Sequence, residues 1–277
     1  MSTTSKELKM AVLEIEKKNR IAYLRMNRPE AKNAIDLELH NALCAAWDDL
    51  EQDDSVDVVI ITGTGDAFCG GMDLKTHVSS YVNATPGKLA DWVKLGLGGT
   101  TRGKHRFAKP VVAAVNGWAL AGGFETALAA DIRIASERAQ FGSFEARRGF
   151  HHGDGGIARL VNCCGVGIAL EMLLTAEPID AQRALQINLV SKVVAHEKLM
   201  ETAEAVANTI LRNDQAAVRS AKQVTLDMIG RNLDDQLYKE AYASYTLMAS
   251  NPTVPGLLKK FYEKTDKGRH GVNATAL

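Results

Sequence analysis

The sequence predicts an α/β fold with a mostly parallel sheet, and two observations lead to this prediction. First, two short runs of small and β-branched residues, VDVVIITG at 56–63 and PVVAAVNG at 110–117, are almost continuously apolar and end in glycine. Such runs are typical of strands that are covered on both faces. Second, amphipathic helical patterns lie between the strands, and strands that alternate with helices favour parallel pairing.

The N-terminal elements are two short strands followed by a helix. AVLEIEKK at 11–18 and RIAYLRM at 20–26 are rich in residues that favour strands. DLELHNALCAAWDDLEQD at 36–53 has a helical period, and Asp36 is its expected N-cap. One face of this helix carries the apolar residues Leu39, Ala42, Leu43, Ala46 and Leu50.

The C-terminal part of the sequence has helical patterns only. Three amphipathic segments and a short fourth one run from HEKLMETAEAVANTILRN to NPTVPGLLKKFYEK. We therefore predict a core over residues 1–195 that carries the functional site and a helical region over residues 196–277. The apolar faces of these helices favour an oligomerisation element over a structural cap.

Charge and cysteine content limit the expected partners and location. The 277 residues include 33 Lys and Arg against 33 Asp and Glu, so net charge gives no argument for nucleic acid or an anionic membrane. Four cysteines without CxxC spacing favour a reducing intracellular compartment. No apolar run has the form of a signal peptide or reaches the ~20 residues of a membrane span. We expect a soluble, cytoplasmic protein that binds neither nucleic acid nor a membrane.

Two glycine-rich clusters follow the two best strands. They are GTGDAFCGGMDLK at 63–75 and NGWALAGGFETALAAD at 116–131. Glycine lets a ligand approach the backbone, and the first turn of a helix has unpaired N–H groups. Two such turns can aim two N–H donors at one oxygen, which makes an oxyanion hole; the alternative is a tight bend or close helix packing. Neither cluster has the GxGxxG or GxxxxGK[ST] spacing of nucleotide-binding loops.

Two glutamates are candidate catalytic groups, although each has a simpler explanation. Glu125 is expected in the first turn of the helix that begins near Gly123, where the helix dipole alone would favour it. Glu145 follows FGSF in an expected turn, where a solvated carboxylate is the alternative. Neither glutamate by itself predicts catalysis.

The segment from Lys109 to Gly149, KPVVAAVNGWALAGGFETALAADIRIASERAQFGSFEARRG, resembles the central signature of the crotonase superfamily, the enoyl-CoA hydratases and isomerases. Further matches follow the order of the family: NRPEAKNAID at 27–36, DVVIITGTGDAFCGGMDLK at 57–75 and GIALEMLLTAEPIDAQRALQINLVSKVV at 167–194. The resemblance covers residues 10–265. It implies a spiral of ββα units followed by a C-terminal helical region that forms a homotrimer or a dimer of trimers.

The resemblance also implies the roles of individual residues. It places the oxyanion hole at the backbone N–H groups of Met72 and Gly122, and the catalytic acid and base at Glu125 and Glu145. Coenzyme A is then part of the substrate, and no permanently bound cofactor is expected. The implied CoA-binding positions are Ala31, Lys32, Cys69, Gly70, Gly71, Asp73 and Lys264.

The presence of both glutamates favours hydration, because isomerases of the family commonly keep only the second. We expect water to add at C3 of a 2-enoyl thioester, with Glu125 activating the water and Glu145 exchanging the proton at C2. Two carboxyl groups at one water disfavour double ionisation, so one of them is expected to be protonated. The alternatives are an isomerase, a hydrolase, a lyase, or a non-catalytic member that binds a CoA thioester or RNA.

The turn after Glu145 departs from the family pattern. GFHHGDGG has His152 where the family usually has proline and Asp154 where it has a small residue. A metal site from Glu145, His151, His152 and Asp154 is disfavoured, because adjacent residues of an extended segment point to opposite sides and no HExxH spacing exists. Asp154 either caps the next helix or faces the substrate together with His152; an ordinary loop role for the histidines is the alternative. The segment 77–99 is expected to shape the acyl pocket.

Overall fold

The computed structural model describes residues 11–82 and 84–266, with side chains to residue 263. The chain divides after Arg212 into two compact units. The strands of the first unit are β1 (Leu13–Lys18), β2 (Ile21–Met26), β3 (Val58–Gly63), β4 (Ala67–Cys69), β5 (Val111–Val115), β6 (Trp118–Leu120), β7 (Ile132–Ser136), β8 (Gln140–Gly142), β9 (Ile179–Asp180) and β10 (Lys192–Val194). Its α-helices are α1 (Leu37–Gln52), α2 (Pro86–Leu95), α3 (Gly122–Ala129), α4 (Gly156–Thr175), α5 (Ala181–Gln186) and α6 (Leu199–Leu211).

The strands form two sheets that are built by repetition along the chain. The larger sheet has the order β1-β2-β3-β5-β7-β10 and the smaller one β4-β6-β8-β9. Pairing is antiparallel at β1–β2 and β8–β9 and parallel between the other neighbours. The chain passes from the larger sheet to the smaller one and then into a helix, first as β5–β6–α3 and then as β7–β8–α4. This repetition is a spiral of ββα units, and the predicted α/β fold class is confirmed.

The central strands of the larger sheet are covered on both faces, as their apolar runs predict. Every residue of β3 and β5 is buried. Along β3, Val59 and Ile61 pack into the core that includes α1, whereas Val58 and Ile60 pack into a second core that includes α6. The period of two therefore places alternate side chains in different cores.

The predicted first helix is confirmed together with its cap. The Asp36 carboxylate accepts a hydrogen bond from the Leu39 N–H at 2.8 Å. Of the predicted apolar face, four residues are buried and Ala42 is half-buried. The helix thus begins where its capping residue places it.

Helix α6 belongs to the first unit because it packs against the larger sheet. Its residues Leu199, Ala203 and Ala207 are buried beside β3 and β5. The first unit therefore extends beyond residue 195, where the sequence placed the end of the core. The assignment of an oligomerisation function to residues 196–277 stays a prediction.

The described part of the second unit is helical, as expected. It contains α7 (Gln215–Met228), α8 (Leu233–Ser250) and α9 (Val254–Asp266). Asp214 caps α7 by accepting a hydrogen bond from the Ala217 N–H, and Asn232 caps α8 in the same way. Local capping thus sets the starts of these two helices.

Helix α4 is the one helix, within the described ranges, that is long and apolar enough to cross a membrane by length and composition. Its backbone leaves the helical conformation at Gly165, where φ is 80° and ψ is 164°. The helix is therefore two shorter stretches that meet at this glycine.

Candidate active site

A cavity of about 490 Å³ lies in the first unit where the two glycine-rich turns and both candidate glutamates meet. Of the residues singled out from the sequence, it is lined by Gly70, Met72, Gly122, Glu125, Glu145, His151 and Asp154. The remaining wall is mainly apolar and is formed by Leu74, Val78, Tyr81, Val82, Leu97, Leu120, Phe144 and Phe150. The segment 77–99 supplies several of these residues, which confirms that it shapes the pocket.

The backbone N–H groups of Met72 and Gly122 lie side by side at this cavity. A methyl group on Gly122 would lie 3.3 Å from the Met72 nitrogen, and one on Gly71 would lie 3.2 Å from the Gly122 nitrogen. Gly71 has a φ of 102°, a conformation that favours glycine. Neither N–H donates a hydrogen bond to another residue of the described chain. Two unpaired donors at such close range can bind one carbonyl oxygen.

Ala121, directly before α3, holds a strained backbone conformation beside these donors. Its φ of 51° and ψ of −125° cost a non-glycine residue about 1–3 kcal/mol. Its N–H donates to the Gly142 carbonyl at 2.8 Å, and its carbonyl accepts from the Glu125 N–H at 3.0 Å. These two bonds fix the turn that places Gly122 at the start of the helix.

Glu125 lies in the first turn of α3 and is 3% exposed. Its Oε1 accepts hydrogen bonds from the backbone N–H groups of Asp154 at 2.7 Å and Gly156 at 2.9 Å. Gly156 is the first residue of α4, so this carboxylate occupies the N-terminus of that helix. Glu125 thereby joins α3 to the turn that departs from the family pattern.

The alternative that Asp154 caps α4 is wrong. The N-cap residue is Gly155, which has no side chain, and the first N–H of the helix donates instead to the Glu125 carboxylate of α3. Asp154 Oδ1 instead accepts from the Leu97 N–H at 2.8 Å and the Thr101 hydroxyl at 3.0 Å, and pairs with Arg102 at 3.1 Å. Asp154 therefore fastens the 96–102 turn to the site and also lines the cavity.

Glu145 is a buried carboxylate rather than a solvated one. It begins the short 3-10 helix Glu145–Arg148 and is 5% exposed. Its Oε1 lies 2.8 Å from His152 Nδ1, whereas its Oε2 has no hydrogen-bond partner among the described residues. Glu145 thus contacts His152 through one oxygen, and its other oxygen is buried without a partner among the described residues.

His152 lies between the two glutamates. Its Nδ1 is 2.8 Å from Glu145 Oε1 and 3.4 Å from Glu125 Oε1, and its Nε2 is 2.5 Å from Ser143 Oγ. Burial of the ring lowers its pKa, but its close contacts and charge interactions with the two glutamates outweigh burial and raise the pKa of His152 to about 9. Its Nδ1 atom makes no aligned hydrogen bond to either carboxylate. The expectation that one glutamate is protonated stays a prediction.

Glu125, Glu145 and His152 also have potential metal-binding atoms within 4.8 Å of one another. His151 and Asp154, which the sequence analysis considered with them, lie outside this set. Two ligands of one tetrahedral zinc ion would lie about 3.3 Å apart. The 2.8 Å between His152 Nδ1 and Glu145 Oε1 fits an ion pair better than a shared metal.

The two turns implied in CoA binding lie against each other. The Gly70 N–H donates to the Lys32 carbonyl at 2.8 Å, which joins the Ala31–Lys32 turn to the Cys69–Asp73 turn. Cys69 is fully buried, and burial raises the pKa of its thiol to about 12, so its backbone rather than its sulfur is available to a ligand. The Asp73 carboxylate accepts from two N–H groups of the next turn. Of the six implied CoA-binding positions in these two turns, only Gly70 lines the cavity itself.

Lys264 falls in α9, but its side chain lies outside the described residues. Arg102 has a structural position that the sequence analysis did not identify. Its guanidinium donates to the carbonyls of Trp92 at 2.9 Å, Val93 at 2.7 Å and Gly153. The glycine run LGLGG just before it was the available signal for a tight turn here.

Comparison with known proteins places this geometry in context. Residues 16–269 match the family model for enoyl-CoA hydratase/isomerase. A short-chain-enoyl-CoA hydratase of Clostridium acetobutylicum is 38% identical over 83% of this chain and 86% of its own length. A crotonyl-CoA hydratase of Syntrophomonas wolfei is 36% identical over 90% of this chain and 94% of its own. The crystal structure of an enoyl-CoA hydratase from Mycobacterium marinum superposes with a TM-score of 0.81 at 34% identity, covering 92% of this chain and 96% of that one.

Proposed function

The chain belongs to the enoyl-CoA hydratase/isomerase family, and we propose that it is an enoyl-CoA hydratase, which adds water across the 2,3 double bond of an enoyl-CoA thioester. The observation that carries the proposal is the meeting of two unpaired backbone N–H groups and two buried glutamates at one cavity. Coenzyme A is part of the substrate.

The N–H groups of Met72 and Gly122 bind the thioester carbonyl oxygen in this mechanism. Attack of water at C3 pushes electrons onto that oxygen and gives a thioester enolate. Donors that are already in place at a buried site stabilise this developing charge without reorganisation. The strained turn at Ala121 supports this role, because it fixes the second donor before the substrate arrives.

The two glutamates carry out the proton transfers that accompany the addition of water. We assign the positioning and activation of water to Glu125 and the proton exchange at C2 to Glu145. The place of Glu145 in the cavity wall supports its role, because a carboxyl group that transfers a proton must lie within reach of the reacting carbon. Glu125 takes one proton of the water as its hydroxyl bonds to C3, and Glu145 gives a proton to C2. Transfer of the proton from Glu125 to Glu145 then restores both groups, so the net change is the addition of one water.

The cavity wall favours an apolar acyl group. Aliphatic and aromatic side chains from the 74–82 segment, Leu97, Leu120 and Phe150 surround the place where the acyl chain would follow the reacting carbons. This inference concerns the class of the acyl group and not its length.

A panel of short, long, branched and aromatic enoyl-CoA thioesters tests the function. We expect loss of the conjugated double bond together with a product mass gain of one water for at least one panel member. Formation of an isomer without a change in mass would assign an isomerase instead. Thioester binding without turnover of any panel member would favour a non-catalytic binding protein.

We also propose that the chain assembles as a homotrimer or a dimer of trimers. Exposed apolar and aromatic residues support this proposal, because large apolar surfaces on soluble proteins commonly mark interfaces. On α4 they include Val166, Leu170 and Leu174, and on α8 they include Tyr238, Tyr242, Tyr245 and Met248.

A further inference from the structure

The 96–102 turn of the cavity wall carries one more inference, which rests on the proposed function. We propose that Asp154 is a positioning residue that holds Leu97 of this turn against the oxyanion hole, and that the site is thereby selective for acyl groups without a branch at C2. Leu97 contacts the acyl group, and Asp154 acts through Leu97.

Leu97 lies beside the second proposed oxyanion donor. Its side chain lines the cavity, and the residue is 2% exposed. A methyl group on Gly122 would come within 2.4 Å of Leu97 Cδ2, so the leucine packs directly against the residue whose N–H is this donor. A thioester oxygen bound there brings the acyl carbons next to the carbonyl close to Leu97. Little width is then left for a methyl branch at C2.

The backbone on either side of Leu97 has little conformational preference of its own. Gly96, Gly98 and Gly99 have φ values of 71°, 62° and 83°, which belong to the left-handed region. Glycine loses more conformational freedom on folding than any other residue, so a segment this rich in glycine is costly to order. The place of Leu97 therefore depends on bonds from other parts of the fold.

Asp154 supplies the bond to Leu97 itself. Its Oδ1 accepts from the Leu97 N–H at 2.8 Å and from the Thr101 hydroxyl at 3.0 Å, so it joins both ends of the turn. The backbone of Asp154 is in turn fixed, because its N–H donates to Glu125 Oε1 at 2.7 Å and its carbonyl accepts from Arg159 at 3.1 Å. The acyl wall is thus fastened to the same carboxylate that is proposed to activate water.

The charge of Asp154 and its acceptor oxygen can be separated. Arg102 lies 3.1 Å from the same Oδ1 and also donates to the Trp92 and Val93 carbonyls, which keep it in place without Asp154. The bond to the Leu97 N–H needs an acceptor but no charge. Asparagine therefore preserves the feature that positions Leu97, whereas alanine removes it.

The measurement is the ratio of kcat/KM for 2-methylcrotonyl-CoA to kcat/KM for crotonyl-CoA. We expect this ratio to rise about tenfold in Asp154→Ala, because the freed turn lets Leu97 move away from Gly122. In Asp154→Asn it should stay within about threefold of the wild type. A purely structural role would lower both activities equally, and an unchanged ratio in Asp154→Ala would overturn the proposal.

Leu97→Ala tests the same wall while Asp154 stays in place. It should raise the ratio by itself, and adding Asp154→Ala should raise it little further, because both substitutions act on one contact. Independent, multiplying effects would contradict an action through Leu97. Lys104→Gln is the matched control: it removes a charge from the same segment, where Lys104 pairs with Asp48 and Glu51, and it should leave both activities unchanged.

Calorimetric binding of butyryl-CoA and isobutyryl-CoA, which differ only in the branch, separates this proposal from the proposed function. We expect the wild type to prefer butyryl-CoA and Asp154→Ala to lose most of that preference. If the preference behaves in this way but no enoyl-CoA gains water, the proposed function fails and the role of Asp154 stands. If crotonyl-CoA gains water but the wild type binds both thioesters equally, the role of Asp154 fails and the function stands.

Discussion

Glu125 has two tasks that single substitutions can separate. Its Oε1 bonds two backbone N–H groups at the start of α4, and its carboxylate is proposed to activate the attacking water. When a buried acceptor of two hydrogen bonds is removed, both donors are left unpaired. The free-energy cost of two unpaired buried N–H groups exceeds the net contribution of the two hydrogen bonds.

We expect Glu125→Ala to lower the free energy of unfolding by about 1–3 kcal/mol, because two buried N–H groups lose their acceptor. Glu125→Gln keeps an oxygen in this place and should be clearly more stable than the alanine variant, although both should lose activity. Thermal unfolding of the two variants beside the wild type measures the difference. Equal unfolding temperatures for Glu125→Gln and Glu125→Ala would contradict a capping role of the Glu125 carboxylate.

Glu145→Gln isolates the proton exchange at C2. Its Oε2 makes no hydrogen bond within the described part of the chain, so the amide should be tolerated in the fold. We expect hydration to slow by about 10²–10⁴-fold while the affinity for a CoA thioester stays nearly unchanged. Single-turnover experiments measure the hydration rate, and calorimetry measures the affinity for the thioester. Near-wild-type turnover would contradict the role assigned to Glu145.

The sequence could predict that both glutamates and the two glycine-rich turns meet at one cavity, because they occur within ordered motifs. It could not predict that His152 meets them, since Glu125, Glu145 and His152 come from three different elements whose approach depends on packing. Asp154 shows a related limit. An acidic residue just before a helix is a good capping candidate, but here a glutamate distant in sequence already occupies the helix end.

At the scale of the element, each proposed oxyanion donor depends on the close approach of two turns. Gly71 and Gly122 leave no room for side chains: methyl groups there would lie 2.9 Å from the Leu120 carbonyl oxygen and 2.4 Å from Leu97 Cδ2, respectively. The turns can approach only because neither residue has a Cβ.

We expect Gly71→Ala to reduce kcat by about 10²–10³-fold, because the turn must shift and the Met72 N–H moves with it. The left-handed φ of residue 71 should also cost the variant about 1–3 kcal/mol of stability. Gly167→Ala is the control: it lies in α4 with open space around it, and alanine should be neutral or slightly stabilising there. If both variants retain full turnover, the turns do not form an oxyanion hole.

The limits of helix prediction appear at the same scale. The pattern from residue 196 onwards correctly predicts amphipathic helices, but the same apolar stripe fits packing against a sheet or against other helices. Helix α6 packs against the sheet, and this difference moves the end of the first unit to Arg212. Helix α6 could therefore be predicted from its sequence pattern, whereas its packing against the larger sheet could not.

At the scale of the whole molecule, the exposed apolar faces predict a stable assembly. We expect a solution mass of three or six times 30.0 kDa by light scattering after size exclusion. Leu174→Glu places a charge on the exposed face of α4 and should reduce that mass if this face is an interface, whereas Lys18→Glu on β1 should not change it. A monomeric mass for the wild type at micromolar concentration would contradict the proposed trimer.

The strand order of the larger sheet has a further consequence for biosynthesis. Its strands occupy positions in the same order as they occur in the chain, so a chain leaving the ribosome can add each strand to the edge of the sheet already formed. An unpaired edge is nevertheless exposed at every stage, and such edges promote aggregation. The edge of β7 is covered only when residues 192–194 pair with it, and the three residues of β10 then form a shorter edge.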